Sequence, residues 1–167
     1  MGGACGAAAG NTLTLVSYTS AQARQELLDA IAEAIDEIAL TLAALGGAYD
    51  LLDETSADTL EEQLFQPAQR AYGRAKRTYS SFAERYALTV RAFEPATPGL
   101  PSQGFMGFLE AAGEAAEDAD LTLSTLQDSL RPVEVGDAEL RAGLSEVRTL
   151  LAQLPVRSQQ MARTFGR

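Results

Sequence analysis

A heptad pattern of apolar residues runs without interruption through residues 28–52. Its members are three or four residues apart, which places all of them on one stripe of a helix. The seam comprises Leu28, Ile31, Ile35, Ile38, Leu42, Leu45, Tyr49 and Leu52. Small residues such as Ala32, Ala39 and Gly46 flank the seam. The pattern therefore predicts a helix that packs closely between neighbours in a bundle.

Three further segments carry amphipathic helical patterns. Pro67 lies inside the second and removes a backbone donor, so we expect that helix to restart near Gln66. Pro155 predicts a bend in the fourth. Short links favour antiparallel neighbours, so the chain is predicted to be an all-α, up-down-up-down four-helix bundle. The predicted helices cover about residues 20–54, 58–94, 102–131 and 137–165.

Residues 1–19 are predicted to be a flexible, Gly/Ala-rich N-terminal arm or tether. Within them, "NTLTLVSY" alternates apolar and polar residues, and we expect it to lie as an extended arm along the helices.

The segment "GGACGAAAGN" resembles the end of a bacterial lipoprotein signal, in which small residues precede a lipidated cysteine. The resemblance implies lipidation of Cys5 and a tether to the cell envelope through the lipid alone. The sequence departs from that pattern at Gly2, where lipoproteins carry leucine, and it has no charged start or apolar signal core. The alternative is a cytoplasmic protein with an incidental thiol in a tail.

Composition excludes several chemistries for this chain. It has no histidine and a single cysteine, which rules out His-based catalysis, His-ligated metals and an internal disulfide. We predict no catalytic residue, no metal and no cofactor. The 23 acidic and 13 basic residues give a net charge of −10, which disfavours nucleic acid as a partner. Acidic clusters at 33–37 and 110–120 are expected to be solvated helix faces.

The charge alternates in sign along the chain. Residues 1–66 carry −10, residues 67–91 carry +5, residues 92–139 carry −9, and residues 140–167 carry +4. In an up-down bundle sequence neighbours touch, so the alternation predicts that each helix packs against helices of opposite charge.

One stripe of the second helix is basic. Arg70, Arg74 and Arg77 share it, whereas Tyr79 and Tyr86 lie on nearly the opposite face. The stripe is either a solvated face or a docking surface for an acidic protein partner. Rings that point away from the arginines cannot stack on bases beside them, so nucleic-acid binding is not expected.

Two other features suggest binding. Met106 and Phe108 either cap one end of the bundle or present an apolar patch to a partner. Gly46, Gly47, Tyr79 and Tyr86 are candidates for a pocket between helices. The sequence thus favours a non-catalytic interaction or scaffold protein, with binding of an apolar small molecule as the alternative, and it leaves the oligomeric state open.

Overall fold

The computed structural model describes residues 9–129 and 136–165 of the 167-residue chain. All regular structure in these ranges is helical, and the helices pack as a bundle around one apolar core. The prediction of an all-α four-helix bundle is therefore confirmed. In chain order the elements are α1 (Ala9–Tyr49), α2 (Glu54–Leu60), a π-helical turn (Glu61–Phe65), α3 (Gln66–Tyr86), a 3₁₀ turn (Pro101–Gln103), α4 (Gly104–Asp128), α5 (Ala138–Leu151) and α6 (Leu154–Phe165).

A π-helical turn precedes the restart of the α-helix at Gln66, and a turn at residues 152–153 lies just before Pro155, in agreement with the effects expected of the two prolines. Two helix starts differ from the sequence prediction. We call each of the four helical rods of the bundle an arm. The second arm comprises α2, the π-helical turn and α3. It begins at Glu54 and is capped by Asp53, whose carboxylate accepts from the Ser56 N–H at 3.0 Å. The first helix begins at Ala9, so residues 9–19 are helical instead of an extended arm. The short apolar run in this segment did not distinguish a strand from a helix. Helical structure here extends α1, so it does not require the unfavourable formation of a separate first helical turn.

The helix predicted to reach residue 94 ends at Tyr86. Ala87 adopts the left-handed conformation (φ 50°, ψ 47°), and the Leu88 N–H donates to the Ala83 carbonyl at 2.9 Å. These features form a C-terminal cap that usually contains glycine. The residues here, Ala87 and Leu88, are of types that favour helices, so the local sequence does not indicate that the helix ends.

The helices of neighbouring pairs all run antiparallel. Arg24 of α1 lies over the ring of Tyr86 at the end of α3, 4.2 Å from its centroid. Phe108 near the start of α4 packs against Gly47 near the end of α1, and Thr122 further along α4 donates to Glu37, ten residues earlier in α1, at 3.1 Å. Both α3 and α4 therefore run opposite to α1 and parallel to each other.

The last arm of the bundle comprises α5 and α6 and packs against both α3 and α4. It runs antiparallel to α3, since Arg85 contacts Asp137 at one end and Arg74 contacts Glu146 further along. It also runs antiparallel to α4, since Asp120 pairs with Arg148 at 2.8 Å and Gln127, further along α4, donates to Ser145, earlier in α5, at 2.9 Å. The direction of the arms is thus up-down-down-up, with α3 and α4 at opposite corners. This corrects the up-down-up-down order.

A long crossover, residues 87–100, makes this order possible. Thr89 lies beside Gln25 of α1, and Pro98 shares a surface recess with Gly46, which lies 21 residues further along the same helix. Residues 89–98 thereby span about 30 Å along α1, close to the full reach of an extended chain. The sequence predicted the end of a helix and a short link for these residues, whereas the structure shows an extended segment that runs along the bundle.

The core follows the predicted seams closely. In α1 the seam from Leu28 to Leu45 is buried apart from partly buried Leu42, whereas Tyr49 is 41% exposed. In the last arm, Leu140, Leu144, Val147 and Leu151 are fully buried.

Asp137 is the polar junction between α3 and α5. Its carboxylate accepts from the Leu140 N–H at 2.7 Å, which caps α5, and from Arg85 at 2.9 Å through Nη2. Burial alone would raise the pKa of Asp137, but the hydrogen bonds from Leu140 and Arg85 outweigh it and hold the pKa below its ordinary value. Folding stability due to this group is therefore present above the unfolded pKa and is lost as pH falls through the folded one.

We expect Asp137→Asn to lower the free energy of unfolding at pH 7 by about 2–4 kcal/mol, because Arg85 loses its buried carboxylate partner. Glu139→Gln is the matched control. Glu139 pairs with the same Arg85 at 3.0 Å but is 65% exposed, so its loss should cost under about 0.5 kcal/mol. Urea denaturation measures both, and equal costs would contradict a special role for Asp137. The difference between wild type and Asp137→Asn should shrink as pH falls from the ordinary aspartate pKa of 3.8 through the lower folded pKa.

Two adjacent glycines in α1 give a second matched pair. A Cβ at Gly46 would meet nothing within 4 Å, whereas one at Gly47 would lie 2.6 Å from a ring carbon of Phe108. We expect Gly46→Ala to stabilise the protein by about 0.5–1 kcal/mol through helix propensity. Gly47→Ala should destabilise it by about 1–3 kcal/mol, because the ring must move. Thermal unfolding of both variants checks this, and a shift of the same sign in both would refute the packing assignment.

Candidate functional site

A basic groove runs along the outer side of α3. Arg70, Gly73, Arg74 and Arg77 form its floor and one wall, because residues three or four apart share a helix face. Two hollows of about 1130 and 960 Å³ share Gly73, Arg74 and Arg77, so the groove is continuous along the helix.

Residues from three other elements complete the basic groove. Glu146 and Thr149 of α5 and Glu61 of the π-helical turn border one half, and Val90 and Arg91 of the crossover border the other. The sequence prediction missed the crossover residues because it placed them in a helix. The prolines at 95, 98 and 101 were the available signal of an extended segment.

The three arginines of the predicted stripe differ in their contacts. Arg74 donates to Glu146 at 2.6 Å, so its charge is neutralised within the fold. Arg70 and Arg77 are exposed, and neither makes an ion pair or a hydrogen bond with any other described residue. The groove therefore presents two guanidinium groups with free donors, separated by two helical turns.

Lys76 and Arg91 add less free charge than the sequence suggests. Lys76 lies over the ring of Tyr72, 4.4 Å from its centroid. Arg91 pairs with Asp36 and also donates to the Ala32 carbonyl at 3.2 Å. Their positive charge is engaged by neighbouring groups of α1 and α3.

The tyrosines of α3 serve the fold. Tyr79 is buried, its hydroxyl accepts from the Arg91 N–H at 3.0 Å, and its ring packs edge-on against Phe93 at 5.0 Å. Tyr86 packs against Phe82, with ring centroids 5.0 Å apart, and beneath Arg24. Neither ring stands free in the basic groove as a stacking platform.

The four residues proposed as a small-molecule pocket do not line one cavity. Gly47 packs directly against Phe108. Gly46 borders a surface recess of about 410 Å³ with Ala43, Phe65 and Pro98, and neither tyrosine lines it. Tyr86 lies beneath Arg24, and Tyr79 contacts Arg91, which pairs with Asp36 in the middle of α1.

The two residues of the predicted apolar patch, Met106 and Phe108, differ in their exposure. Phe108 is 3% exposed and fills the space over Gly47, so it is a core residue and not a partner contact. The missing side chain of Gly47 allows this burial, which a helical pattern in one segment alone does not reveal. Met106 is 48% exposed and remains available. Cys5 lies outside the described residues.

The packing also corrects the predicted charge order. The two acidic segments, α1 and α4, form the largest helix interface, whereas basic α3 packs against α5, in which two acidic and two basic residues balance. The pairs Arg74–Glu146 and Arg85–Asp137 join α3 to the last arm. Net segment charge did not select the neighbours, because the crossover places α4 beside α1.

The acidic interface between α1 and α4 disfavours ionisation of Glu37. Burial raises its pKa, and the carboxylates of Asp118, Glu33 and Asp36 raise it further, against the hydrogen bond from Thr122 that lowers it. The folded state therefore binds a proton at Glu37 more tightly than the unfolded state does. Stability from this group is greatest below the unfolded pKa and is lost as pH rises through the folded pKa.

We expect Glu37→Gln to raise the free energy of unfolding at pH 7 by about 0.5 kcal/mol, because it removes a charge while keeping an acceptor for Thr122. The gain should vanish as pH falls towards the ordinary glutamate pKa of 4.5. Urea denaturation at several pH values measures it. Glu33→Gln, on the exposed face of α1, is the control for a general charge effect, and an equal gain there would contradict the specific burial of Glu37.

The described residues carry no group of three side chains placed to hold a metal ion, and none of their helices is long and apolar enough to cross a membrane. Comparison of the chain with protein-family models, with curated proteins and with solved structures found no significant match.

Proposed function

We propose that the protein is a non-catalytic interaction module that binds an acidic segment of a partner protein in the basic groove of α3. The observation that carries this proposal is the free state of Arg70 and Arg77. Both are exposed on one stripe and neither pairs with a described carboxylate, in a chain that has ten more acidic than basic residues.

The spacing of the two arginines defines the partner. Residues seven apart on a helix are separated by about 10 Å along its axis. A partner that pairs with both must present two carboxylates at a similar distance. That distance corresponds to positions seven apart on a helix, or to positions three apart on a polyproline II segment, where every third side chain lies on the same face. Arginine binds carboxylates through two parallel hydrogen bonds, which gives such a contact specificity as well as charge attraction.

The shape of the groove supports a protein segment as the occupant. The absent side chain of Gly73, where a Cβ would meet nothing within 4 Å, leaves the floor open between Arg70 and Arg77. Val90, 58% exposed, adds an apolar contact at the crossover side. Single-stranded nucleic acid would favour exposed aromatic rings here, and the tyrosines of α3 are packed against the fold.

Selection from a displayed random peptide library tests the proposal with a defined probe. We expect enriched peptides to carry two acidic residues at one of the two spacings. Their affinity, measured by fluorescence anisotropy, should fall at least about tenfold in Arg70→Gln/Arg77→Gln. The melting temperature of that variant should not change, because neither arginine makes an ion pair within the described fold.

The double variant Arg157→Gln/Arg163→Gln removes the same charge from α6 and serves as the matched control. It should bind the selected peptide like the wild type. Equal loss of affinity in both double variants would reduce the effect to net charge and refute the groove. Enrichment of peptides without acidic residues would also overturn the proposal.

A further inference from the structure

A second groove lies between α4 and α6, on a part of the surface that the basic groove does not reach. Its volume is about 510 Å³. Leu109 and Gly113 of α4 and Pro155 and Ala162 of α6 provide an apolar floor and walls. At one end stands Met106, which is 48% exposed.

The floor contains a buried hydroxyl without a partner. Ser158 is 4% exposed, and its Oγ makes no hydrogen bond. That oxygen lies 4.0 Å from the point where Gly113 would carry a Cβ, so it faces α4 at a position without a side chain. Buried polar groups in folded proteins nearly always have a partner, so an unpaired hydroxyl in a groove indicates a ligand that supplies one.

The rim on the α4 side is acidic. Glu110, Glu114 and Glu117 are exposed along the groove, and none of them makes an ion pair with another described residue. Arg163 stands on the opposite rim, on the last turn of α6 beside the Met106 end. Negative charge is therefore concentrated towards the end near Pro155, and an apolar path leads from there towards Met106.

We propose that this groove binds a primary aliphatic amine. An ammonium group carries only donors, so it can donate to the Glu114 and Glu117 carboxylates and to the Ser158 oxygen. Its alkyl chain would cover the apolar floor towards Met106. A bare metal ion fits less well, because the described residues hold no metal-binding group and the floor offers no further oxygen ligands. The inference is independent of the peptide groove on α3.

Titration of the isotopically labelled full chain with pentylamine, followed by amide NMR shifts, tests the proposal. We expect saturable shifts that include Gly113 and Ser158. Pentanol and pentanoate keep the chain length but lack the ammonium, and neither should produce them. Shifts of the same size with pentanol would show an apolar crevice only and overturn the assignment. Tighter binding of an acetylated lysine amide than of pentylamine would overturn a free amine as the ligand.

Gly113→Ala separates binding from folding. The new Cβ would lie 3.7 Å from the Ser158 Cβ and 3.8 Å from the Pro155 Cα, an ordinary contact that closes the floor. We expect affinity for pentylamine to fall about tenfold while the melting temperature rises by about 2–4 °C, because alanine favours the helix. Gly73→Ala, in the open middle of α3, should raise the melting temperature similarly and leave pentylamine binding unchanged.

Two further variants address the polar groups. Ser158→Ala should weaken pentylamine binding about threefold to tenfold without lowering the melting temperature, since the hydroxyl makes no bond within the protein. Glu114→Gln/Glu117→Gln should weaken it about tenfold or more. Wild-type affinity in Gly113→Ala, or in both of these variants, would refute the site.

Discussion

The crossover between α3 and α4 determines the arrangement of the whole bundle. It runs along about half the length of α1 in an extended form, so its backbone groups need partners from the helices beneath it. Gln25 provides two of these through its side-chain amide, and the Tyr79 hydroxyl accepts from the Arg91 N–H. Arg91 then pairs with Asp36 of α1. Because the chain returns along α1 before it enters α4, both α3 and α4 run antiparallel to α1.

This order brings the two acidic helices, α1 and α4, together. At the interface of α1 and α4 the cost falls on Glu37, which burial and nearby carboxylates make harder to ionise. At the interface of α3 and α5 the few acids of the last arm lie opposite arginines, and Asp137 combines a helix cap with an ion pair. Arg70 and Arg77 have no such acid opposite them. The free positive charge of the basic groove therefore comes from the two arginines of α3 that make no ion pair with another described residue.

Glycines at helix contacts show how closely the arms approach. At Gly47 the space is taken by Phe108, and at Gly143 it is taken by Thr78, whose Cγ2 lies 2.8 Å from the position of a Cβ. At Gly113 the facing group is Ser158, and an ordinary methyl group would fit. The first two contacts are filled by the protein itself, and the third leaves an unpaired buried hydroxyl in the floor of the groove between α4 and α6. This difference distinguishes a packing glycine from a candidate binding position.

The sequence by itself determined the helical class, the buried seams and the interruptions at Pro67 and Pro155. These follow from periodicity and from proline geometry, which act within a few residues. Only the tertiary structure decided that α3 ends at Tyr86, that Phe108 is buried, that Arg74 is paired while Arg70 and Arg77 are free, and that Ser158 faces Gly113. Each of these depends on a contact between residues far apart in the chain, such as Arg74 with Glu146 or Gly47 with Phe108. The pattern of one helix specifies which face is buried, and the crossover specifies which helix that face meets.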